Sequence, residues 1–188
     1  MNKRHRTFLA INLPNDTKKQ LAKYQKQFAD VPARWTTPEN LHITVLFLGD
    51  LTDQELGQTC QIVKEVVKNH STFNMSLDRV AYGPEGKTPP RYIWAGGQEV
   101  KEAVLLKKDL EDALYETIKF KIDNIKFTPH ITLARIKEWE WRAIESEERT
   151  EVNEAMDSIF TVESIEVMES ELTRLGPRYV VVESFQLK

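Results

Sequence analysis

Alternating apolar and polar positions, or short apolar runs bounded by turn residues, predict seven strands along the chain. The turn residues include Pro14, the pair Gly49-Asp50 and the Gly- and Pro-rich stretch 83–90. The last two strands flank Gly176-Pro177 and are therefore predicted to pair as a closing hairpin. The predicted strands cover residues 7–13, 41–48, 73–77, 91–95, 127–136, 164–171 and 179–187.

Apolar residues at helical spacing predict three amphipathic helices, at about 15–28, 52–67 and 99–118. Asn15 or Asp16 is expected to cap the first helix, and Thr52 with Glu55 has the form of a capping box at the start of the second. Cys60 lies on the apolar stripe of the second helix, so we expect a buried structural thiol there rather than a nucleophile.

The order of the elements is strand, helix, strand, helix and then further strands and a helix in similar form, which predicts an α+β fold of two related lobes. The acidic segment 138–157 has poor periodicity, and we expect it to be helical at its two ends. No low-complexity linker divides the chain, and 188 residues fit one ordinary domain. We therefore expect a single domain, 1–188, made of two pseudo-symmetric lobes.

Composition and charge narrow the function classes. The net charge of -3 at pH 7 lacks the global basic excess of a general nucleic-acid binder, so any contact with nucleic acid is expected to be local. Cys60 is the only cysteine, which excludes an internal disulfide and favours a reducing, cytoplasmic location. The apolar stretch after the basic N-terminus runs only from 8 to 13, which is too short for a signal peptide or a membrane span.

One short motif occurs twice. His42-Ile43-Thr44-Val45 recurs 88 positions later as His130-Ile131-Thr132-Leu133, each time inside a predicted strand. Because side chains alternate along a strand, the His and the Thr of each copy share one face and the apolar residues share the other. A single His-x-Thr is common by chance, but its repetition in the same context indicates a shared function.

Two imidazoles and two hydroxyls on one face suit acid/base chemistry on a phosphate. An imidazole with a pKa near ~6.5 exists in both protonation states around neutrality, so one histidine can accept a proton while the other donates one. The threonine hydroxyls can hold phosphate oxygens, and the scheme requires no metal. A zinc site is the rival interpretation, but neither copy has the further ligands of a helical zinc motif. His5 and His70, the other two histidines, receive no catalytic role.

The residues around the two motifs resemble those of a known family. The stretches 41–49 (LHITVLFLG) and 127–135 (FTPHITLAR) look like the two His-x-Thr-x signatures of the two-histidine phosphoesterase superfamily. Within it they are similar to the bacterial and archaeal RNA 2',3'-cyclic phosphodiesterases, long called 2'-5' RNA ligases. Segments 6–11, 91–96 and 170–179 support the likeness, which therefore extends over nearly the whole chain.

The resemblance implies a bilobal α+β fold with two antiparallel sheets facing a central groove and helices on the outer faces. It also implies metal-free opening of a 2',3'-cyclic phosphate on RNA to a 2'-phosphomonoester, with no cofactor. By the same likeness, His42 is the proton donor and His130 the proton acceptor. Thr44 and Thr132 would bind the phosphate, and Arg135 is a candidate for a further anion or nucleotide contact.

Strict alternation along a strand bears on two residues close to the motifs. It places Arg135 on the face of Ile131 and Leu133, where a surface ion pair is the alternative role. It places Phe47 on the face of Ile43, away from the histidines, so we expect Phe47 to pack in the core.

Several aromatic residues are available to stack on a base, although we expect most of them to pack in the core. Tyr92 and Trp94 should share a face, which the sequence does not identify. The aromatic candidates are Phe47, Tyr92, Trp94 and Tyr179.

Three functions remain to be weighed. The first is a phosphodiesterase whose partners are RNA with 2',3'-cyclic phosphate ends or small cyclic nucleotides, acting as a monomer with no membrane partner. The second is a non-catalytic nucleotide-binding module, against which the intact double motif argues. The third is reversible 2'-5' RNA end joining; no P-loop or ATP-binding lysine motif is visible, which argues against an energy-driven ligase.

Overall fold

A computed structural model describes residues 3–122, 127–174 and 176–188, and within these ranges it contains nine strands and four α-helices. No helix in this part of the chain is both long and apolar enough to cross a bilayer. The elements are β1 (His5–Asn12), α1 (Asn15–Gln27), β2 (Ala33–Trp35), β3 (His42–Leu51), α2 (Asp53–Val67), β4 (Phe73–Gly83), β5 (Tyr92–Gly96), α3 (Lys101–Tyr115), β6 (His130–Ile136), α4 (Glu138–Arg142), β7 (Asn153–Val162), β8 (Ser164–Thr173) and β9 (Gly176–Gln186).

All strand pairs found in the described residues are antiparallel, and they form one sheet in the order β7-β4-β5-β6-β3-β1-β8-β9, with β2 added beside β6. The sheet consists of a β6 half (β7-β4-β5-β6 with β2) and a β3 half (β3-β1-β8-β9). Only one register pair among these residues, Ile43 opposite Ile131, joins the halves. The α+β class is confirmed, and the two expected sheets meet edge to edge at the two strands that carry the repeated motif.

The main core lies on the face of the sheet to which Ile43 and Ile131 point, and both side chains are fully buried there. Apolar stripes of the helices complete it, with Leu21 from α1, Val63 from α2 and Leu110 from α3 all buried. The opposite face carries a smaller cluster around Phe8, described below. The motif residues therefore lie where two halves of one sheet meet, on the face away from the helices.

The predicted strands and the three long helices are confirmed, but the segment 138–157 corrects the sequence analysis. Only Glu138–Arg142 at its start is α-helical, whereas its end belongs to strand β7. There Met156, Ser158 and Phe160 are buried at every second position, against β4. Pairing with β4 therefore overrides the weak helical pattern. Strand β2 was not predicted, because three residues are too few to show a period.

The helix starts gave one confirmed and one wrong prediction. The capping box at α2 is present: Glu55 N donates to Thr52 Oγ1 at 3.2 Å and Thr52 N donates to a Glu55 carboxylate oxygen at 2.8 Å. The predicted cap of α1 is wrong, because the extended backbone of Pro14 begins the helix one residue earlier and Asn15 is already helical. Cys60 is buried as expected, and burial raises the pKa of its thiol to about 11.

Candidate active site

The two motif strands place their polar residues on one face. β3 and β6 run antiparallel with Ile43 opposite Ile131. Continuing this register by one residue in each direction places His42 opposite Thr132 and Thr44 opposite His130. All four polar side chains are half-buried, whereas the two isoleucines are fully buried on the other side. We call the face that carries these four residues the histidine face.

The ring of His42 is fixed by hydrogen bonds at both nitrogens. Nδ1–H donates to the carbonyl oxygen of Asn40 at 2.7 Å, and Nε2 lies 3.0 Å from Thr44 Oγ1. Because a carbonyl oxygen can only accept, Nδ1 holds its proton and Nε2 is the nitrogen that gains and loses one. The ring also contacts Phe8 (centroids 5.1 Å apart) and the edge of Tyr179 (4.9 Å).

The second histidine has the same arrangement at one nitrogen. His130 Nδ1–H donates to the carbonyl oxygen of Thr128, two residues before it, at 2.8 Å. The ring lies against the indole of Trp94, with centroids 4.0 Å apart. In the described part of the chain Nε2 of His130 has no hydrogen-bond partner, so its lone pair is available to accept a proton.

The pKa values of both imidazoles lie below the usual value of 6.5, mainly because burial disfavours the charged ring. The hydrogen bonds to the carbonyl oxygens of Asn40 and Thr128 oppose this shift but do not reverse it. The positive charges of Lys18 and His130 lower the pKa of His42 further, so the two imidazoles are close enough to interact electrostatically. Both rings are therefore mainly neutral at pH 7 in the free protein.

Each motif strand contains a β-bulge directly after its threonine. In β3, successive residues of β1 pair with Leu46 and Thr44, so that Val45 is left without a partner in that pairing. In β6, Leu133 is likewise left without a partner in the pairing with β5. The first seven residues of β3 and of β6 consequently have the same sequence of buried, half-buried and exposed positions.

The bulges correct two predictions that assumed strict alternation. Because one extra residue reverses the side-chain alternation beyond it, Phe47 and Arg135 lie on the histidine face rather than on the core face. Phe47 is 68% exposed and its ring is 6.2 Å from that of Phe8, so the expectation that it packs in the core is wrong. Arg135 is exposed and is the direct cross-strand neighbour of Tyr92.

Aromatic side chains flank each histidine. Tyr92 and Trp94 are stacked with an interplanar angle of 11°, and Trp94 in turn covers His130. Trp94 lies so close to the backbone of Gly83 that a Cβ at that position would collide with the indole. On the other half, Phe8 and Tyr179 flank His42, so all the aromatic candidates lie on the histidine face.

Asn40 is a functional candidate that sequence reasoning missed. Its carbonyl oxygen holds His42, while its side chain donates to the carbonyl oxygen of Pro177 at 2.8 Å and accepts from the backbone of Tyr179 at 3.1 Å. Asn40 therefore fixes the imidazole of His42 relative to the strand that carries Tyr179. Its position two residues before the first motif histidine was the available signal.

Comparison with known proteins decides the family. A family model described as LigT like Phosphoesterase matches residues 11–94 and 98–179. The chain belongs to the LigT-like phosphoesterase family. It is therefore an enzyme of phosphoester chemistry, and membership of the expected phosphoesterase family is confirmed.

Curated relatives of this LigT-like phosphoesterase span bacteria and archaea. It is 30% identical to the RNA 2',3'-cyclic phosphodiesterase of Methanocaldococcus jannaschii, over 96% of this chain and 99% of the relative. It is 27% identical to the RNA 2',3'-cyclic phosphodiesterase of Geobacillus stearothermophilus, over 98% of this chain but 58% of the relative. A crystal structure of a Thermus thermophilus protein superposes with a TM-score of 0.84 at 27% identity, over 97% of each chain.

The remaining histidines of the LigT-like chain lie outside the site. Buried His5 lies 2.9 Å from carboxylate oxygens of both Asp53 and Glu169, and His70 lies 3.1 Å from one of Asp109. Within the described residues, no three histidine, cysteine or carboxylate side chains are grouped closely enough to hold a metal ion.

Proposed function

We propose that this enzyme opens the 2',3'-cyclic phosphate at the end of an RNA strand by hydrolysis and leaves a 2'-phosphomonoester. One observation carries the proposal. Two imidazoles share a face, and each holds a proton on Nδ1 against a backbone carbonyl, so that Nε2 of each is the nitrogen free to exchange protons. Two threonine hydroxyls accompany them. The relatives named RNA 2',3'-cyclic phosphodiesterase support this substrate class.

In the proposed reaction, Nε2 of His130 takes a proton from a water molecule whose oxygen attacks the phosphorus. The bond from phosphorus to the 3' oxygen breaks, and Nε2–H of His42 gives its proton to that oxygen. The free lone pair of His130 Nε2 supports its role as the proton acceptor. The donor set of two imidazoles and two hydroxyls performs these steps without a metal ion.

Thr44 and Thr132 are proposed to donate hydrogen bonds to the non-bridging phosphate oxygens. Thr44 Oγ1 lies 3.0 Å from the Nε2 atom of neutral His42. Once Nε2 is protonated it can no longer accept, so the Thr44 hydroxyl is free to turn its proton toward the phosphate. Protonation of the donor and binding of the anion are thereby coupled.

The decisive test is incubation of the protein with EDTA and an oligonucleotide that ends in a 2',3'-cyclic phosphate, followed by mass measurement and mapping of the phosphate position. We expect a gain of one water and a 2'-phosphate. Loss of turnover in EDTA would contradict the metal-free mechanism. A 3'-phosphate product would mean that the 2' oxygen, and not the 3' oxygen, is the leaving group. Binding without turnover would favour the nucleotide-binding module instead.

The lowered pKa values predict the pH dependence. Turnover needs His130 neutral and His42 protonated, so kcat/KM falls on the acid side as His130 gains a proton and on the alkaline side as His42 loses one. Because both pKa values lie below 6.5 in the free enzyme, we expect the maximum of kcat/KM below pH 6.5. A bound phosphate anion raises both pKa values, so the kcat maximum should lie at higher pH. A kcat/KM maximum above pH 7 would contradict this assignment.

We further propose that the chain acts as one domain of two pseudo-symmetric halves. Each half of the sheet draws strands from both parts of the chain, because β4 and β5 join β6 and β7 whereas β8 and β9 join β1 and β3. The motif strands of the two halves have the same burial pattern and a bulge at the same position. Each half contributes one imidazole and one hydroxyl, so neither half holds a complete site.

A further inference from the structure

Lys18 is a cation near the proposed proton donor, and no step of the proposed reaction uses it. It belongs to the first turn of α1, which begins shortly after the end of β1. Asn12, the last residue of β1, is the direct cross-strand neighbour of His42. The start of α1 therefore lies close to the end of the sheet that carries this imidazole.

A cleft of about 320 Å³ separates the start of α1 from the short turn 38–40, which leads into β3. Lys18 lines the cleft from the helix, and Glu39 lines it from the turn. The next residue of the turn, Asn40, is the one whose carbonyl oxygen holds Nδ1 of His42. Lys18 is therefore near both chain segments that position the imidazole, the end of β1 and the turn before β3.

The positive charge of Lys18 has no direct counter-charge. The side chain is half-buried, and burial lowers the pKa of its ammonium group. The carboxylates of Glu39 and Glu166 oppose that shift, so the ammonium stays charged at neutral pH. Among the described residues, however, no carboxylate lies within ion-pair distance of Lys18. Glu166 is held instead at the end of β1, where it accepts a hydrogen bond from the backbone of Asn12 at 3.1 Å.

Titratable and charged groups surround His42 and the adjoining ring of Tyr179. They are Lys18 of α1, Glu39 of the turn, Arg6 of β1, Glu166 of β8 and His130 of β6. Burial lowers the pKa of His42 most, and the positive charges of Lys18 and His130 lower it further. Since His130 is itself mainly neutral at pH 7, Lys18 supplies a full charge that disfavours protonation of His42 in the free enzyme.

We infer that Lys18 is an electrostatic positioning residue, which keeps the proposed proton donor His42 uncharged until a phosphate anion is bound. The inference rests on the proposed function. A cyclic phosphodiester carries one negative charge, and this charge offsets that of Lys18 when the substrate lies against the imidazole. His42 then takes up a proton from solvent as the substrate binds. Without Lys18, His42 would hold that proton in the free enzyme over a wider pH range.

The direct test is an NMR titration of the His42 imidazole in the free protein, assigned with a His42→Gln sample. For Lys18→Gln we expect the ring to titrate at higher pH than in the wild type, because a nearby positive charge is removed. Lys18→Arg keeps the charge and should titrate like the wild type. Lys23→Gln removes an exposed charge from a later turn of the same helix, and as the control it should cause no shift.

Hydrolysis of adenosine 2',3'-cyclic phosphate gives a second readout. On the alkaline side, kcat/KM follows the fraction of protonated His42, so Lys18→Gln should raise it above the wild-type value. The gain should match the shift of the titration, at about tenfold for each pH unit. On the acid side, where protonation of His130 governs the rate, kcat/KM should stay at the wild-type value.

An unshifted His42 titration in Lys18→Gln, or an equal shift in Lys23→Gln, would overturn the inference. A fall in kcat/KM by the same factor at every pH would also overturn it, since Lys18 would then bind the phosphate directly. Saturation of the wild type with inorganic phosphate should move the titration to higher pH, and an unmoved titration would contradict the coupling to the anion. Failure of the proposed function looks different, because the wild-type protein would hydrolyse no cyclic phosphate while both titrations still decide the inference.

Discussion

His130→Ala is expected to lower kcat by about 10²- to 10⁴-fold, the range that one general acid or base contributes. The imidazole is half-buried, holds its proton on Nδ1 against the Thr128 carbonyl, and has no hydrogen-bond partner at Nε2 among the residues that the structure describes. Its removal leaves no group in the same place to accept the proton of the attacking water. The measurement is single-turnover hydrolysis of a 2',3'-cyclic phosphate substrate, with circular dichroism to verify the fold.

The matched control for this substitution is His70→Gln. His70 lies 3.1 Å from a carboxylate oxygen of Asp109, outside the site, and a glutamine amide can keep a hydrogen bond to that carboxylate. The control should retain wild-type turnover. If His130→Ala kept more than about a third of wild-type activity, a loss far smaller than general-base catalysis contributes, the assignment of His130 as the proton acceptor would be wrong.

Ile131→Ala is expected to cost about 2–5 kcal/mol in the free energy of unfolding, as for other large-to-small changes in a packed core. Ile131 is fully buried and forms, with Ile43, the register pair that joins the two halves of the sheet. Since whole domains are stable by only about 5–15 kcal/mol, this loss should be visible directly in a urea titration.

Ile159→Ala makes the same chemical change at a position of β7 that is 69% exposed, and we expect it to change the free energy of unfolding by less than about 0.5 kcal/mol. Similar losses in the free energy of unfolding at the two positions would show that burial at the junction does not stabilise the fold. Ile131→Ala should also reduce turnover beyond its effect on the folded fraction, because this junction sets the position of His42 relative to His130.

Much of the site follows from the sequence because a strand has a simple period. Placement of His42 with Thr44, and of His130 with Thr132, on one face requires only alternation, and the structure agrees. The prediction that the two strands lie together rests on the repetition of the motif and on the family resemblance. The capping box at Thr52 could also be predicted from the sequence, because it depends on residues only three positions apart.

The bulges were not predictable in the same way. Val45 and Leu133 are ordinary β-branched and aliphatic residues, and neither sequence copy carries a glycine to mark the irregularity. A bulge depends on how the partner strand pairs, which is a long-range property of the sheet. Alternation therefore placed Phe47 and Arg135 on the wrong face. The strand at Asn153–Val162 was missed for a related reason, since pairing with β4 decides it.

The equivalent positions Phe47 and Arg135 follow the same bulge in two otherwise matching strands, yet one is an aromatic ring and the other a cation. A binding site with perfect twofold symmetry would bind a directional polymer equally well in either orientation. The proposed RNA substrate has two different ends, so its polarity must be read at positions where the halves differ. This pair is such a position: one half offers an exposed aromatic ring, and the other offers an exposed positive charge.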